Sequence, residues 1–293
     1  MHANLMLLLA AAIWGVGFVA QRLGMDHLGP YSFNGIRFFI GAFSLLPLIW
    51  WYQHQGKLQN VDCKLLLWAG LPVGVLLFIA ASLQQVGLLY TTAANAGFIT
   101  GLYIVLVPLL GIFLKHKISG NIWLGCAIAV SGLYILGVGD NFSVNFGDLL
   151  QLIGAFFWAA HLLTIDHYSK KVPPILLACL QFVVCGVLSM VVAFSIETPT
   201  VTNALLAWKS VLYAGVVSVG IAYTLQVMAQ KHAHPAHAAI ILSLETVFAA
   251  IGGVWLLGEE LSSRALTGCG LMLLGMLISQ LPLRWLLRSK AFT

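Results

Sequence analysis

Ten stretches of this sequence are apolar for about the length a bilayer demands, and that recurrence limits the fold before any motif is read. They run Leu5–Leu23, Tyr31–Trp51, Leu65–Leu88, Thr92–Leu114, Ile122–Val138, Leu149–Ile165, Pro174–Ile196, Leu205–Ala229, Ala236–Leu257 and Ala265–Leu286. A helix needs ~20 apolar residues to cross the hydrocarbon. Lipid offers the backbone no hydrogen-bond partners, so each stretch must close its own bonds as a helix. A barrel would show short alternating segments instead. Only 8% of the residues are charged, against about 25% in soluble domains. The expected fold is all-α integral membrane, with ten transmembrane helices and short connections that leave no room for a soluble domain. No Lys or Arg precedes the first stretch, so it reads as a span rather than a cleaved leader.

Lys and Arg orient the chain, because they collect on the cytoplasmic side. With the N-terminus inside, cytoplasmic segments hold Lys57, Lys64, Lys115, Lys117, Lys170, Lys171, Lys231, Arg284, Arg288 and Lys290. The outer side holds Arg22, Lys209 and Arg264. Both termini are therefore expected in the cytoplasm. The acidic loop Gly139–Asp148, with Asp140 and Asp148, lies near the midpoint on the outer side, five spans from either end. Five is odd, so a second copy of the first half enters the membrane from the opposite face. Two inverted five-helix repeats are expected, residues 1–138 and 149–290. Internal similarity points the same way. Trp14 in span 1 and Trp158 in span 6 are 144 positions apart. Gly125-Cys126 and Gly132 in span 5 recur as Gly268-Cys269 and Gly275 in span 10, at an offset of 143.

One carboxylate, Glu245, sits near the middle of span 9. An acid at a helix centre costs roughly 2.5–3.5 kcal/mol on insertion scales. It persists there beside a partner, a water-filled cavity or a ligand. It can bond a neighbouring helix, pair with a substrate amine, or exchange protons across the membrane. Arg37 lies inside span 2 toward its outer end. Its long stem can snorkel outward, which makes it a helix-end anchor; the functional alternative is anion pairing or gating near the outer mouth.

Further signals follow the chain in order. They are Ala11-Ala12-Ile13-Trp14-Gly15 in span 1, Asn34-Gly35-Ile36-Arg37-Phe38 in span 2, and Thr91-Thr92-Ala93-Ala94-Asn95-Ala96-Gly97 leading into span 4, which carries Pro108. His237-Ala238-Ala239 and Leu244-Glu245 follow in span 9, then Gly258-Glu259 before span 10. In order and spacing these resemble the drug/metabolite transporter superfamily, and within it the EamA-like ten-helix transporters and exporters. The family often has Pro after the span 9 acid, where this chain has Thr246. The resemblance implies transport of small metabolites through a central cavity lined by helices 1, 3, 4, 6, 8 and 9. It leans toward amino acids, and toward a bacterial inner membrane.

Such a cavity needs apolar walls with a few polar groups. The residues expected to bind substrate are Glu245, Trp14, Asn95, Tyr103, Trp158, His161, Tyr223 and Gln226, with Arg37 and Gln85 in charge or gating roles. Asn95 and Tyr103 are eight apart and so near one helical face; Tyr223 and Gln226 are three apart and can face the same way. Gln84 adjoins Gln85 at the outer end of span 3. Trp50, Trp51, Trp123, Trp208 and Trp285 lie near span ends, where an aromatic belt is expected. Pro72 and Pro108 are candidate hinges. Gly125, Ala129, Gly132, Gly268 and Gly275 allow close helix approach, within one chain or across a homodimer.

Other classes are less well supported. Five cysteines show no CxxC spacing, and His232, His234 and His237 have no Cys or Asp among them, so neither metal nor cofactor is expected. The absence of GxxxxGK[ST], HExxH and GxSxG argues against ATP hydrolysis and against an enzyme. Basic residues are scattered over short loops, which gives no nucleic-acid footprint. The expected function is a secondary, non-ATP transporter. It moves a small organic metabolite, an amino acid or related compound with coupled protons, by alternating access, as a monomer or homodimer. A lipid or amphiphile flippase or multidrug exporter is the alternative.

Overall fold

A computed structural model describes residues 2–58, 61–91, 93–137, 145–257 and 263–281, with side chains at all of these except 93–95, 136, 137, 252–257, 265 and 280. The expectations for Thr92, Asp140, Gly258, Glu259, Arg284, Trp285, Arg288 and Lys290 lie outside the described residues. Everything regular among the described residues is helical. The order is α1 (His2–Gly24), α2 (Pro30–His54), α3 (Cys63–Gly87), α4 (Ala93–Thr100), α5 (Tyr103–Phe113), α6 (Gly120–Gly137), α7 (Phe146–Tyr168) and α8 (Pro174–Ile196). Then come α9 (Val201–Leu206), α10 (Trp208–Leu212), a π-helix, π1 (Tyr213–Tyr223), α11 (Thr224–Gln230), α12 (Pro235–Leu242), α13 (Glu245–Leu257) and α14 (Ser263–Gln280).

Seven helical runs are long and apolar enough to cross a membrane: α1, α2, α3, Ala96–Phe113, α7, α8 and Trp208–Gln230. Gly120–Ile135, Pro235–Ile251 and Leu266–Ser279 are shorter apolar helices. α2 and α3 have 25 residues each, about 37 Å at 1.5 Å per residue, enough to clear a ~30 Å hydrocarbon layer. Large apolar side chains point outward, Phe113 83% and Phe194 70% exposed. That is the surface lipid covers.

Three spans are interrupted, and not where proline would suggest. Pro72 and Pro108 sit inside α3 and α5. Span 4 breaks instead at Gly101-Leu102, where Ile104 N donates to Gly101 O (3.1 Å) and Val105 N to Leu102 O (3.0 Å). These bonds reach back three residues, a tightened turn. Span 9 breaks the same way at Ser243-Leu244, with Leu244 N donating to Ile241 O (3.2 Å) and Thr246 N to Ser243 O (3.2 Å). No proline is needed there. Ser243 Oγ donates to Ile240 O (2.9 Å) and Thr246 Oγ1 to Ser243 O (3.1 Å). The Ser243 hydroxyl takes up the Ile240 carbonyl that the distorted backbone leaves, and such back-bonding is a known cause of helix bending. Span 8, read from sequence as one helix, is wider over π1. The break in span 4 also separates Asn95, in α4, from Tyr103, in α5, so the one-face argument for that pair fails.

Helix ends explain two boundaries. α7 begins at Phe146, three residues before the expected Leu149. Asn145 Oδ1 accepts from Asp148 N (3.0 Å) and Asp148 Oδ2 accepts from Asn145 N (2.9 Å), a reciprocal capping box. Asp148 is thus a buried helical residue that also accepts from Thr91 Oγ1, not a loop charge. α2 starts after Gly29, which has no side chain to cap it. Glu197, at the end of α8, caps it from outside by accepting from Tyr31 N (2.9 Å), Ser32 N (2.8 Å) and Ser32 Oγ. A carboxylate also suits the positive end of the helix dipole.

The main packing pairs are α6 with α14, α2 with α8, α3 with α7 and α8, π1 with α1 and α2, α13 and α12 with α1, and α4 and α5 with α7. Exchanging α1–α6 for α7–α14 maps this set onto itself. The closest seam is α6 against α14. A Cβ on Gly125 would lie 2.6 Å from Gly275 O, and one on Gly132 2.6 Å from Gly268 O. Small residues let these backbones touch, so the glycine stripe is consumed inside the chain and is not a homodimer face.

Replacing Glu197 by Ala removes a charge-assisted cap worth about 1–3 kcal/mol. The purified Glu197→Ala protein should show a lower apparent Tm in detergent, with Glu197→Gln losing less. An unchanged Tm in the alanine variant would remove the tie from the account of stability.

Candidate functional site

The helices line a narrow central cavity with room for about 40 Å³ of water-sized space. α1 contributes Trp14, Phe18 and Gln21; α2 contributes Arg37; α3 contributes Gln84; α4 and α5 contribute Thr100 and Tyr103. α7 adds Trp158 and Leu162, π1 adds Ser218 and Tyr223, and α11, α12 and α13 add Gln226, Leu242 and Glu245. Glu245 is the first residue of α13, directly after the break in span 9. Tyr103 is the first residue of α5, directly after the break in span 4. They meet: Tyr103 OH donates to Glu245 Oε1 at 3.3 Å. Each residue owes its place to a helix interruption, so the two breaks deliver one polar contact.

Tyr223 is the aromatic hub. Its ring centroid lies 4.6 Å from that of Trp14, 6.1 Å from Trp158, 6.1 Å from Phe38 and 6.0 Å from Phe182. Tilted and offset rings at such spacings attract beyond their burial. Two hydrogen bonds join π1 to α1: Trp14 Nε1 donates to Ser218 O (3.2 Å) and Tyr213 OH to Ile13 O (2.8 Å). The wide turns of π1 are therefore held at the cavity wall.

Arg37 corrects the sequence reading. It does not snorkel; it is 2% exposed. Its guanidinium carbon lies 5.0 Å from the Phe38 ring centroid and 5.6 Å from that of Phe33, in cation–π contact. Among the described residues it pairs with no carboxylate, Glu245 included. The Nε of Arg37, Nε1 of Trp158, Oε1 of Gln226 and Oε1 of Gln21 are buried with no hydrogen-bond partner among the described residues. Buried polar groups are ordinarily satisfied, so four orphans around one cavity are notable.

Two other expected residues, His161 and Gln85, fall outside the cavity lining. His161 is buried behind it, its Nε2 2.8 Å from Gln181 Oε1 and its ring edge-on to Trp158. Gln85 is also buried behind, its Nε2 reaching Gln21 O at 3.5 Å, while its neighbour Gln84 lines the cavity. The Asn95 side chain lies outside the described residues. Phe18, Gln21, Thr100, Leu162, Ser218 and Leu242 line the cavity without having been singled out from sequence. The histidine cluster stands apart, at the start of α12. His234 caps that helix through Nδ1, which accepts from Ala236 N (3.3 Å), and it neighbours His116 and His237. Burial and then the nearby His116 hold His234 below the usual imidazole range. Asp166 is taken by Lys170 at 2.7 Å.

Gly15 sets how close α1 comes to α13. A Cβ there would lie 2.7 Å from Glu245 O, 2.7 Å from Ala249 N and 2.6 Å from Phe248 Cβ, closer than real contacts allow. Gly15→Ala should therefore shift the first turn of α13 and move Glu245 off Tyr103. The expected result is a lower Tm and a loss of transport in liposomes. Full transport and an unchanged Tm in Gly15→Ala would show that the contact does not govern the site.

Comparison with known proteins agrees with this architecture. The model of the EamA-like transporter family matches residues 1–138 and 145–280. An uncharacterized transporter of Archaeoglobus fulgidus is 34% identical over 287 residues, covering 96% of this chain and 86% of the relative. A probable amino-acid metabolite efflux pump of Escherichia coli is 24% identical over 304 aligned positions, covering 95% of this chain and 94% of the relative. One crystal structure superposes with a TM-score of 0.79 at 18% identity, covering 97% of this chain and 98% of that one. The chain is a multi-pass membrane transporter and belongs to the EamA-like transporter family.

Proposed function

We propose that the protein is a secondary transporter of amino acids or closely related zwitterions. On this reading ten helices form two inverted five-helix halves with both termini in the cytoplasm of a bacterial inner membrane. The halves rock about the central cavity to give alternating access. The repeated glycine spacing, the packing pattern that survives exchange of the halves, and the charge bias of the loops support the architecture.

One observation carries the substrate class: Arg37 and Glu245 line the same cavity and pair neither with each other nor with another charge among the described residues. An uncompensated buried charge costs several kcal/mol. A substrate bearing both a carboxylate and an ammonium relieves both ends. Its carboxylate accepts from the Arg37 guanidinium, and its ammonium donates to Glu245. Trp14, Tyr223 and Trp158 pack against its side chain. The Escherichia coli relative's name points to the same class. Glu245 also links substrate to protons. Once the ammonium leaves, a proton can neutralise the carboxylate in its place. Ammonium and proton then compete for one site, which is the logic of exchange.

A ligand that binds only the folded form stabilises it by RT ln(1 + [L]/Kd), about 1.4 kcal/mol at tenfold Kd. Free amino acids should raise the Tm of the purified protein, while their amides and N-acetyl derivatives should raise it less. Glu245→Gln should abolish the response and cut flux in liposomes severely. Arg37→Lys should keep part of both, because charge survives without the planar fork. Normal flux through a well-expressed Glu245→Gln protein would sink the proposal. A response to amphiphilic cations that ignores Arg37 would favour a multidrug exporter.

A further inference from the structure

A second concave site lies at the other end of α2 from the Glu197 cap. Lys57 enters it from the turn after α2, Lys170 and Lys171 from the link between α7 and α8, and Lys231 with His232 from the end of α11. The recess holds about 420 Å³, and no Asp or Glu is among its lining residues. Lys170 is tied to Asp166, but Lys57, Lys171 and Lys231 have no carboxylate partner among the described residues. Three ammonium groups without a counter-charge around one hollow repel one another. A bound anion reverses that sign.

The surroundings identify the kind of anion. Lys57 Nζ lies 5.1 Å from the Trp51 ring centroid and 5.0 Å from that of Tyr52. Trp50 and Trp51 are exposed, 63% and 46%. Exposed indoles at the end of a spanning helix mark headgroup depth. The recess also has an apolar part, including Ile175 and Met228. A basic hollow with apolar patches at the interface suits a phosphate group whose remainder continues into the bilayer. We propose that this recess binds a phosphate-bearing anion, the phosphodiester headgroup of an anionic lipid, inorganic phosphate being the soluble source of the same chemistry. The occupant would touch α2 on one side and the α7–α8 link and α11 on the other, so it bridges elements that must shift if the bundle opens. Nothing in this site depends on the cavity substrate.

The test uses the whole 293-residue chain in dodecylmaltoside, at fixed ionic strength. Its Tm is followed on addition of dioleoylphosphatidylglycerol, dioleoylphosphatidylcholine or sodium phosphate. The phosphatidylglycerol shift should exceed the phosphatidylcholine shift and be largely lost in Lys57→Gln/Lys171→Gln/Lys231→Gln. The matching triple Lys→Arg variant should retain it, which separates lost charge from misfolding. If the Gln triple fails to give a monodisperse protein, Lys57→Gln alone should show a reduced shift. A variant-sensitive response to sodium phosphate and not to lipid would assign the same site to free phosphate. Equal shifts in wild type and a folded Gln variant, or no shift with any anion, would overturn the proposal.

Discussion

Backbone hydrogen bonding without water is the constraint on which everything else here depends. Within lipid an unpaired amide or carbonyl costs several kcal/mol, so a helix can be interrupted only where protein surrounds it. The breaks at Gly101-Leu102 and Ser243-Leu244 obey this. Gly101, Ser243 and Leu244 are buried, and short bonds or hydroxyls replace the regular ladder. Helices α2, α3 and α8 run uninterrupted. The breaks thus fall in buried stretches that present Tyr103 and Glu245 to the cavity, while α1, α2, α3 and α7 reach it as regular helices.

The same logic orders the polar groups. Burial makes each charge expensive, so the two in the cavity dominate its chemistry although aromatic rings occupy more of its wall. Tyr103 gives Glu245 one hydrogen bond and no charge, which leaves the carboxylate free to take a cation. Arg37 rests against phenyl rings, and its Nε has no hydrogen-bond partner among the described residues. Tyr223 touches Trp14, Trp158 and Phe38, the neighbour of Arg37 in α2, so a movement of π1 reaches the Arg37 wall and α1, the helix on which α13 packs.

Much of this was legible in the residues, for definite reasons. Span length and apolarity report the bilayer directly, and a lone acid in such a span has few explanations. Depth and direction are harder. Arg37 was placed in the right span, but its depth allowed both snorkelling and burial, and only the packing of α2 against α8 and π1 decides between them. π1 has no local marker, since its sequence of small and β-branched residues suits an ordinary spanning helix. The break before Glu245 carries no proline to mark it; Ser243 and Thr246 accompany it with hydroxyl bonds to the backbone. Gln21, Thr100 and Ser218 escaped notice because a single modest polar group inside a helix says nothing about which neighbour it meets. The Asn145–Asp148 box was readable as a polar residue followed by an acid three positions on, and it would have started α7 at the right place.

The seam between α6 and α14 carries a consequence of its own. Gly125 meets Gly275 and Gly132 meets Gly268, while sequence spacing makes Gly125 the counterpart of Gly268 and Gly132 the counterpart of Gly275. The contact is therefore self-complementary: one surface meets its own equivalent across a two-fold axis, as in a C2 dimer. A surface of that kind needs no partner of different design. Two copies of a single half-length chain, inserted in opposite senses, could have met along it, and fusion would then have fixed as one polypeptide what association had already arranged.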